Sequence, residues 1–563
     1  MKKKSERSKS RSDVKSSNSA GQRHFGSEDH IRWWRLLPVL MVIALVYFYR
    51  IDRPLLWGDE ADTGIEARNI LHYGYPVAYD GRNVRVYDNG VQVTRNLVCK
   101  NIPWCQYYLG ALSIEIFGNH TAGLRLLFAI TGLCAFFPIY AILKSRIKYP
   151  DIIAGLVLIS PQIVLFQRNA RYYSLLILLY AVLVWHLSTN FKSAKTRFIV
   201  ALLVLILLFH THPYAAACCS VALLAFCLIF RREALLVYFF SSCIAFLSWL
   251  VWYELLGPLL GTTPFRIWLI TSNFSFWFKA FFMGFFANIV DLDVVGCFPI
   301  LLWMALFAFL LLQGRKAVLD ILREPLFSFI FLNILIQAVA TAALFCYETT
   351  AMYSILRYMP HLLVFAMISC FVVLNYAVPM RSLYLLVCMF AVVFNFLTLS
   401  FWAAPYSRKV PYSWFIPVYS EIFQPPENAW DVIVAKLRSE SDNSPDRDSV
   451  IVALPDWTDD IAIFYLGDRY LVRPILDESA EECEQSIRKV MGEESYRRLR
   501  AQPEWIVDTL GFIKTVPQGF ITYATVPSYR TRPDDGTRPE LTRHTFSQPA
   551  VVSHVELYHL QKQ

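Results

Sequence analysis

The sequence has little charge for its length and lacks several patterns that are typical of soluble enzymes. Only 17% of its 563 residues are charged, and 56% are hydrophobic, whereas soluble proteins carry about 25% charged residues. Its twelve cysteines form no CxxC pair and no Cys/His metal spacing. The C-terminal region has no glycine-rich phosphate loop, and no signal-peptide cleavage pattern follows the N-terminus. The composition therefore indicates an integral membrane protein rather than a soluble nucleotide-binding enzyme.

Positive charge is concentrated rather than spread along the chain. Much of the formal net charge of +9 comes from residues 1–35 and from short loops, so it does not indicate binding to nucleic acid. Residues 1–30 are rich in Ser, Lys and Arg, and we expect them to form a disordered basic tail. The positive-inside rule keeps this tail in the cytoplasm.

The apolar runs predict about eleven membrane spans. The first covers Leu36–Tyr49, and the others lie near residues 122–143, 151–167, 172–188, 198–209, 213–230, 234–252, 294–313, 326–345, 358–376 and 383–402. Lys or Arg occurs in every loop that follows an even-numbered span, as expected for cytoplasmic loops. The pattern predicts an all-α polytopic membrane domain over residues 31–402.

Two segments between spans have an amphipathic character. Residues 255–290 combine many aromatic rings with two basic residues, which favours a re-entrant or interface-lying segment. Residues 70–117 belong to a long first loop (50–120) and include an apolar stretch that suggests another interfacial helix. Cys99 and Cys105 share this loop and could pair if it lies outside the cell.

The chain changes character after residue 403. Prolines make residues 403–430 a stiff linker, and charge then rises. Strand patterns lie at residues 449–454, 469–475, 504–509, 519–526 and 550–558, and helical patterns lie at 459–466 and 480–500. These patterns predict a small α/β domain over residues 431–563, which the span count places outside the cytoplasm.

The most acidic stretch lies just after the first apolar run. Residues 57–71 contain Asp59, Glu60, Asp62 and Glu66. In a helix Asp59, either Asp62 or Thr63, and Glu66 share one face, and a carboxylate partly shielded from water can act as a general base or a metal ligand. The structural alternative is that Asp59 caps the helix and Asp62 stabilises its first turn. Asp59 and Glu60 come first among the candidates.

Two arginine–tyrosine motifs lie at the outer ends of spans. Arg168 and Arg171, followed by Tyr172, suit a phosphate or a sugar. Arg357 and Tyr358 stand where an outer loop re-enters the membrane, at the height of a lipid phosphate. The alternative for each arginine is an interaction with lipid headgroups. Two arginines beside polar neighbours favour a binding site for the first motif.

A His-x-His pair follows the fifth span. Pro213 is expected to begin a new helix, which leaves His212 in a turn where it and His210 could face one pocket. Interfacial histidines are the alternative. A metal site there would need carboxylates from Asp59 or Glu60.

The order of these motifs resembles that of the GT-C glycosyltransferases. An Asp-Glu follows the first span, an aromatic-Gln-x-x-Ala-Arg-x-Tyr the third, and a His-x-His-x-Tyr the fifth, while an Arg-Tyr pair and a proline open a late span. The likeness is strongest to the bacterial branch related to protein O-mannosyltransferases and aminoarabinose lipid A transferases. It covers about residues 36–402, and a trailing α/β domain is common in that group.

The resemblance implies a donor sugar linked to polyprenyl phosphate and inverting transfer to an extracytoplasmic glycan, lipid or protein hydroxyl. It implies Asp59 as the general base and Glu60 as its support. The donor-phosphate candidates are Arg171, Arg357 and Arg168, and the pocket candidates are His210, His212, Tyr172 and Tyr358. No cofactor is assigned, and a divalent metal ion is left open.

Two other functional classes fit part of the sequence. One is a transporter or flippase of lipid-linked sugars, and the other is a non-catalytic membrane scaffold. A long acidic first loop and a folded outer domain favour an enzyme, because transporters more often show repeated halves or charges at mid-membrane. The resemblance also implies a multi-pass protein of a prokaryotic plasma (inner) membrane.

Overall fold

The fold is a helical bundle joined to a C-terminal α/β unit. A computed structural model describes residues 33–86, 90, 93–100, 102–189, 193–259, 278–279, 281–283, 286, 324–345, 359–378, 380–406, 413, 415–425, 429–443, 449–454, 458–476, 480–509, 511–529 and 551–561. The predicted N-terminal tail, the span at 294–313 and most of the aromatic segment at 255–290 lie outside these residues.

Sixteen helices are described before residue 429. They are α1 (Trp33–Phe48), α2 (Gly58–Tyr73), α3 (Cys105–Phe117), α4 (Thr121–Cys134), α5 (Phe136–Leu143), α6 (Pro150–Leu158), α7 (Pro161–Arg168), α8 (Tyr173–Ser188), α9 (Ala194–Phe209), α10 (Pro213–Phe230), α11 (Leu235–Leu259), α12 (Pro325–Phe345), α13 (Pro360–Ala377), α14 (Arg381–Phe394), α15 (Leu399–Ala403) and α16 (Phe415–Phe423).

The predicted apolar runs within the described residues are helical, but three of them are broken. Pro161 begins α7 after Ser160, so the run at 151–167 forms two helices. Asn395 adopts the left-handed conformation and ends α14 (φ 52°), and α4 gives way to α5 at Ala135. Each break ends a helix inside a segment that hydropathy alone reads as continuous.

The outer faces of the bundle are apolar, as a lipid-facing surface requires. Helix α1 exposes Leu37 and Met41, and α11 exposes Leu236, Phe240 and Leu247. Within the described residues, three helical segments are long and apolar enough to cross a membrane: Thr121–Leu143, which combines α4 and α5, Pro213–Phe230 and Arg232–Tyr253. The chain is therefore a membrane protein, and the count of eleven spans stays a prediction.

The first loop is folded around α2 and α3. Gly74 ends α2 in the left-handed conformation (φ 82°). Short antiparallel bridges, such as Val77 with Val98 and Tyr79 with Val84, then fold residues 77–99 back on themselves. Trp104 donates its indole N–H to the Cys99 carbonyl oxygen (2.8 Å) and stands at the start of α3.

The C-terminal unit consists of a five-stranded sheet and four helices within the described residues. Its elements are α17 (Ala429–Asn443), β1 (Val450–Leu454), α18 (Asp459–Leu466), β2 (Leu471–Val472), α19 (Glu481–Met491), α20 (Glu493–Leu499), β3 (Trp505–Asp508), β4 (Phe520–Tyr529) and β5 (Val551–Leu560). The strand order is β2-β1-β3-β5-β4, with β1 parallel to β2 and β3 and with β5 antiparallel to its neighbours. All seven patterned segments of the sequence adopt the predicted type, except that Gly492 divides the helix at 480–500.

The first loop and the C-terminal unit share their hydrophobic cores. One buried cluster joins Ile65 and Tyr107 of the loop to Trp430 and Ile463 of the C-terminal unit. A second joins the bridged segment 77–99 to strand and helix residues of the same unit. Burial of apolar surface across this boundary fixes the two parts relative to each other. The predicted domain boundaries stay predictions, and the packing is continuous across them.

Candidate functional site

The acidic stretch forms the first turns of α2. The helix begins at Gly58 with Trp57 as its N-cap, so Asp59 and Glu60 both lie in the first turn. The positive end of the helix dipole stabilises negative charge there. The side chain of Asp59 is 33% exposed, whereas that of Asp62 is 3% exposed and that of Glu60 is fully buried. Three neighbouring carboxylates therefore occupy different environments.

Glu60 is held in a closed ion pair with Arg125 of α4. Arg125 donates Nε–H to Glu60 Oε1 (2.8 Å) and a second N–H to Oε2, and the backbone N–H of Ala170 also donates to Oε1 (2.7 Å). The remaining donors of Arg125 bind carbonyl oxygens of the preceding loop, at Ile51, Pro54 and Leu55. This buried bidentate pair ties the loop to the bundle.

Arg171 is the cation that faces Asp59. Its Nη2 lies 3.2 Å from Asp59 Oδ2, and its Nη1 lies 3.1 Å from Asp62 Oδ2. Nη1 also donates to the Asp59 carbonyl oxygen (3.0 Å). The pKa of Arg171 is raised despite burial, because Asp59 and Asp62 stabilise its charge. The two motifs that sequence spacing singled out separately therefore meet in one site.

The segment from Gln167 to Tyr172 joins that site to the bundle. Trp57 donates its indole N–H to Asn169 Oδ1 (3.2 Å), and Gln106 Oε1 accepts from the backbone N–H of Tyr172 (3.2 Å). Arg168, a predicted phosphate ligand, donates to the carbonyl oxygens that end α1, at Val46, Tyr47, Tyr49 and Arg50. This arrangement caps α1, and the phosphate role of Arg168 stays a prediction.

A second ionic cluster is centred on Arg85 of the first loop. Arg85 Nε donates to Asp460 Oδ1 of α18 (3.0 Å) and lies 3.0 Å from Asp62 Oδ1. Glu66 Oε1 lies 3.9 Å from Arg85 Nη1 and accepts the Cys99 thiol hydrogen (2.6 Å). The site thus extends from Asp59 through Asp62 to a carboxylate of the C-terminal unit.

Burial sets the protonation of this cluster. It raises the pKa of Glu66 to about 8, with Arg85 opposing the rise and Asp62 and Asp460 adding to it. Burial also raises the pKa of Asp460, against the same arginine. Burial therefore favours the protonated form of Glu66, which lowers the negative charge in the cluster.

The suggested pairing of Cys99 with Cys105 is wrong. Both are free thiols. Cys99 points into the buried cluster and bonds Glu66, whereas Cys105 begins α3. Burial raises the pKa of the Cys99 thiol well above its ordinary value, which keeps it protonated as the donor.

The histidine motif lies beside the arginine motif. His212 caps α10 by accepting the backbone N–H of Ala215 on Nδ1 (3.1 Å), and its ring lies 4.7 Å from that of Tyr172. The His210 carbonyl oxygen accepts the backbone N–H of Cys105 (3.3 Å), and its ring contacts Trp252. The structure therefore places His210, His212 and Tyr172 next to the first loop. Arg357 and Tyr358 lie outside the described residues.

Several site residues were missed by sequence reasoning. Arg125 interrupts an apolar run, which is the signal that could have identified it. Asp460 lies in the first turn of α18, where an acidic residue is ordinary and carries no special signal. Arg85 and Lys100 lie in irregular loop and carry no local signal. Lys100 is buried, and its Nζ lies 4.5 Å from the Tyr253 ring centroid. No group of three or more His, Cys, Asp or Glu side chains able to hold a metal occurs within the described residues.

Comparison with known proteins identifies the fold. No protein-family model and no curated protein matches the sequence. Solved structures do match, and the chain has the fold of the GT-C glycosyltransferases. ArnT from Cupriavidus metallidurans bound to undecaprenyl phosphate is 16% identical and has a TM-score of 0.51, with 88% of this chain and 97% of that chain covered.

Two further solved structures are less similar. ArnT from the same organism in the apo state gives 16% identity, a TM-score of 0.49, and coverage of 87% of this chain and 96% of that one. The archaeal oligosaccharyltransferase AglB from Archaeoglobus fulgidus was solved in complex with an inhibitory peptide and a dolichol-phosphate. It is 13% identical and has a TM-score of 0.44, with 84% of this chain and 69% of that chain covered. The predicted GT-C resemblance is confirmed at the level of fold.

Proposed function

We propose that this protein transfers a sugar from a polyprenyl-phosphate-linked donor to a hydroxyl of an extracytoplasmic acceptor, with Asp59 as general base. One observation carries the proposal: Asp59 is the carboxylate of the α2 cluster that keeps solvent access, while Arg171 fixes its position at 3.2 Å. Asp62 and Glu60 are buried in ion pairs. A general base must reach the proton that it removes, and Asp59 meets that requirement.

The proposed reaction is a single displacement. The acceptor oxygen forms a bond to the anomeric carbon as the bond from that carbon to the phosphate oxygen breaks, which inverts the configuration. Asp59 takes the acceptor proton, and polyprenyl phosphate leaves with the bonding electron pair. Such a reaction needs a carboxylate on the acceptor side and cations near the leaving phosphate.

Two buried cations of the region around the first loop are candidates for the leaving phosphate. The Arg171 guanidinium pairs with the partly exposed Asp59, and Lys100 lies between the first loop and α11. Arg168 already donates to four carbonyl oxygens, so we rank it below these two. Arg357 stays a candidate on sequence grounds alone.

The predicted topology supports the same assignment. About eleven spans with a cytoplasmic N-terminus would place the acidic cluster and the C-terminal unit on the extracytoplasmic side of a plasma membrane. The fold neighbour with the TM-score of 0.51 was solved with undecaprenyl phosphate. That ligand belongs to the class of lipid phosphate that the proposed donor would release, and the sugar and the acceptor are left to experiment.

The experiment uses the full chain in lipid nanodiscs. Radiolabelled hexoses and pentoses linked to undecaprenyl phosphate serve as donors, and extracted envelope lipids, glycans and proteins serve as acceptors. We expect at least one donor to release polyprenyl phosphate together with a labelled product. Asp59→Asn should lower this rate by about 10²–10⁴-fold, the usual range for loss of a general base.

Asp52→Asn is the matched control, because Asp52 lies in the same loop and its side chain is 58% exposed. It should transfer sugar at the wild-type rate. Release of sugar from no donor by the wild-type protein would refute the proposal. Equal rates for wild type and Asp59→Asn would refute the role of Asp59 while leaving the donor class intact.

A second substitution tests the phosphate role of Arg171. Arg171→Lys keeps the charge but loses the planar fork that reaches both Asp59 and Asp62. If Arg171 binds the leaving phosphate, the KM for the donor should rise about tenfold or more. An unchanged donor KM with a lowered kcat would assign Arg171 to the positioning of Asp59 alone.

A further inference from the structure

We propose that Asp460 of the C-terminal unit is a positioning residue for Asp59, so that α18 is part of the reaction centre. The inference rests on the proposed function. A relay of side chains carries it, from Asp460 to Arg85, Asp62, Arg171 and Asp59. Each adjacent pair in this relay lies within 3.2 Å.

Arg85 has two carboxylates within reach of its Nε–H, and it donates that hydrogen to Asp460. Arg85 Nε lies 3.0 Å from a carboxylate oxygen of Asp62 and 3.0 Å from one of Asp460. Its N–H is directed at Asp460. Asp62 Oδ1 is buried and has no hydrogen-bond partner. A buried carboxylate oxygen without a donor is costly, so Asp62 would take that N–H if it were released.

The other carboxylate oxygen of Asp62, Oδ2, contacts Arg171, the arginine that pairs with Asp59. Asp62 Oδ2 accepts from Arg171 Nη1 (3.1 Å) and from the Tyr107 hydroxyl (3.3 Å). While Asp460 holds the Arg85 N–H, Asp62 stays directed at Arg171. If Arg85 donated to Asp62 Oδ1 instead, the negative charge of Asp62 would be drawn towards Arg85, and Arg171 would pair more tightly with Asp59. A more tightly paired Asp59 is a weaker base.

The position of Asp460 is fixed by the docking of α18 on α2. A Cβ added at Gly64 would lie 2.4 Å from the Phe464 ring, so the two helices approach closely only because residue 64 is glycine. The backbone N–H of Leu56 donates to the Tyr465 hydroxyl (2.8 Å). Asn83 donates to the Gly467 carbonyl oxygen (3.0 Å) and accepts from the backbone N–H of Val472 (2.7 Å). These contacts hold the C-terminal half of α18 and the turn after it against the first loop, and Asp460 lies in the first turn of the same helix.

The test compares Asp460→Asn with Asp468→Asn in the full chain. Asp468 follows α18 and its side chain is 68% exposed, so its substitution controls for a change of charge in the same unit. Asp460→Asn should lower kcat for sugar transfer about tenfold, as expected when a catalytic group is displaced, and should leave the donor KM within about twofold. Asp468→Asn should match wild type.

The double variant Asp62→Asn/Asp460→Asn tests whether Asp460 acts through Asp62 or independently of it. If Asp460 acts through Asp62, the double variant should transfer sugar no more slowly than Asp62→Asn alone. Multiplied losses would show that the two residues act separately, which overturns the relay. Asp460→Glu, which keeps the charge, should recover at least part of kcat. Equal losses in Asp460→Glu and Asp460→Asn, together with lowered melting temperatures, would reduce Asp460 to a structural residue.

A second readout needs no sugar transfer, so it separates this inference from the proposed function. Water-soluble carbodiimide modifies accessible carboxyl groups, and mass spectrometry quantifies the modification of Asp59. Asp460→Asn should lower labelling of Asp59 several-fold, because Arg171 then holds Asp59 more tightly. Unchanged labelling in a variant that melts like wild type overturns the relay. If wild type transfers no sugar but labelling falls, the proposed function fails and the relay stands.

Discussion

Asp59 and Glu60 are neighbours in the chain, yet they lie in two contrasting regions of the site. Glu60 is fully buried and shares two hydrogen bonds with Arg125, whose other donors are bound to loop carbonyl oxygens. Asp59 meets Arg171 on one side and is 33% exposed. The Glu60 carboxylate is therefore out of contact with solvent, which we call the closed region, whereas the Asp59 carboxylate can be reached from solvent.

This difference shows how one acidic stretch can supply both a structural ion pair, at Glu60, and a candidate catalytic carboxylate, at Asp59. A closed bidentate pair contributes rigidity, because removing either partner leaves an unpaired charge in the interior. A carboxylate that keeps solvent access can exchange water for an acceptor hydroxyl. The helix places the two side chains on different faces, since successive residues point about 100° apart.

The largest expected effect on stability comes from the closed region. Glu60→Gln leaves the Arg125 guanidinium without its anion and should destabilise the protein by about 3–5 kcal/mol, as for other broken buried pairs. The melting temperature of the purified protein in nanodiscs measures this effect. Asp59→Asn should melt close to wild type because its side chain is partly solvated. Equal losses in the two variants would contradict the distinction between the regions.

A smaller effect is expected where the C-terminal unit meets α2. Gly64→Ala places a methyl group 2.4 Å from the Phe464 ring, and overpacking of this kind costs about 1–3 kcal/mol. Adding Phe464→Leu should recover part of the melting temperature, because a smaller side chain makes room. If Gly64→Ala alone melts like wild type, the close approach of the helices is not required.

A pH dependence of stability is also expected. The pKa of Glu66 is raised from 4.5 to about 8 by burial, with Arg85, Asp62, Cys99 and Asp460 around it. The folded state therefore holds a proton that the unfolded state releases, so stability should fall as pH rises between these values. Glu66→Gln mimics the protonated form and should reduce the fall of the melting temperature over that range, to which Asp460 also contributes. An unchanged slope would show that Glu66 is ionised when folded.

Much of the fold follows from local patterns. The apolar runs and the buried strands near Val450 and Trp505 are predicted from the sequence and confirmed by the structure. Hydropathy does not detect the breaks at Pro161 and Asn395, because backbone conformation rather than polarity ends those helices. Packing of the C-terminal unit on the first loop depends on contacts between residues hundreds of positions apart, such as Asn83 with Gly467.

The site was predictable only in part, for the same reason. Spacing along the chain singled out Asp59, Arg171 and His212, and the structure brings them to one region of the molecule. It did not show that Arg171 pairs with Asp59, since helix geometry relates only residues three or four apart. Arg85 and Asp460 are connected only by the tertiary fold and carry no periodic signal that joins them.

Azide rescue of Asp59→Ala is the most direct test of the central claim. Azide is already an anion and needs no base, so it can attack the anomeric carbon in the space left by the missing carboxylate. We expect Asp59→Ala to lose transfer to hydroxyl acceptors and to form a glycosyl azide from the polyprenyl-phosphate donor, at least about tenfold faster than without azide. Full transfer to hydroxyl acceptors by Asp59→Ala, with no glycosyl azide, would contradict the assignment of Asp59 as the general base.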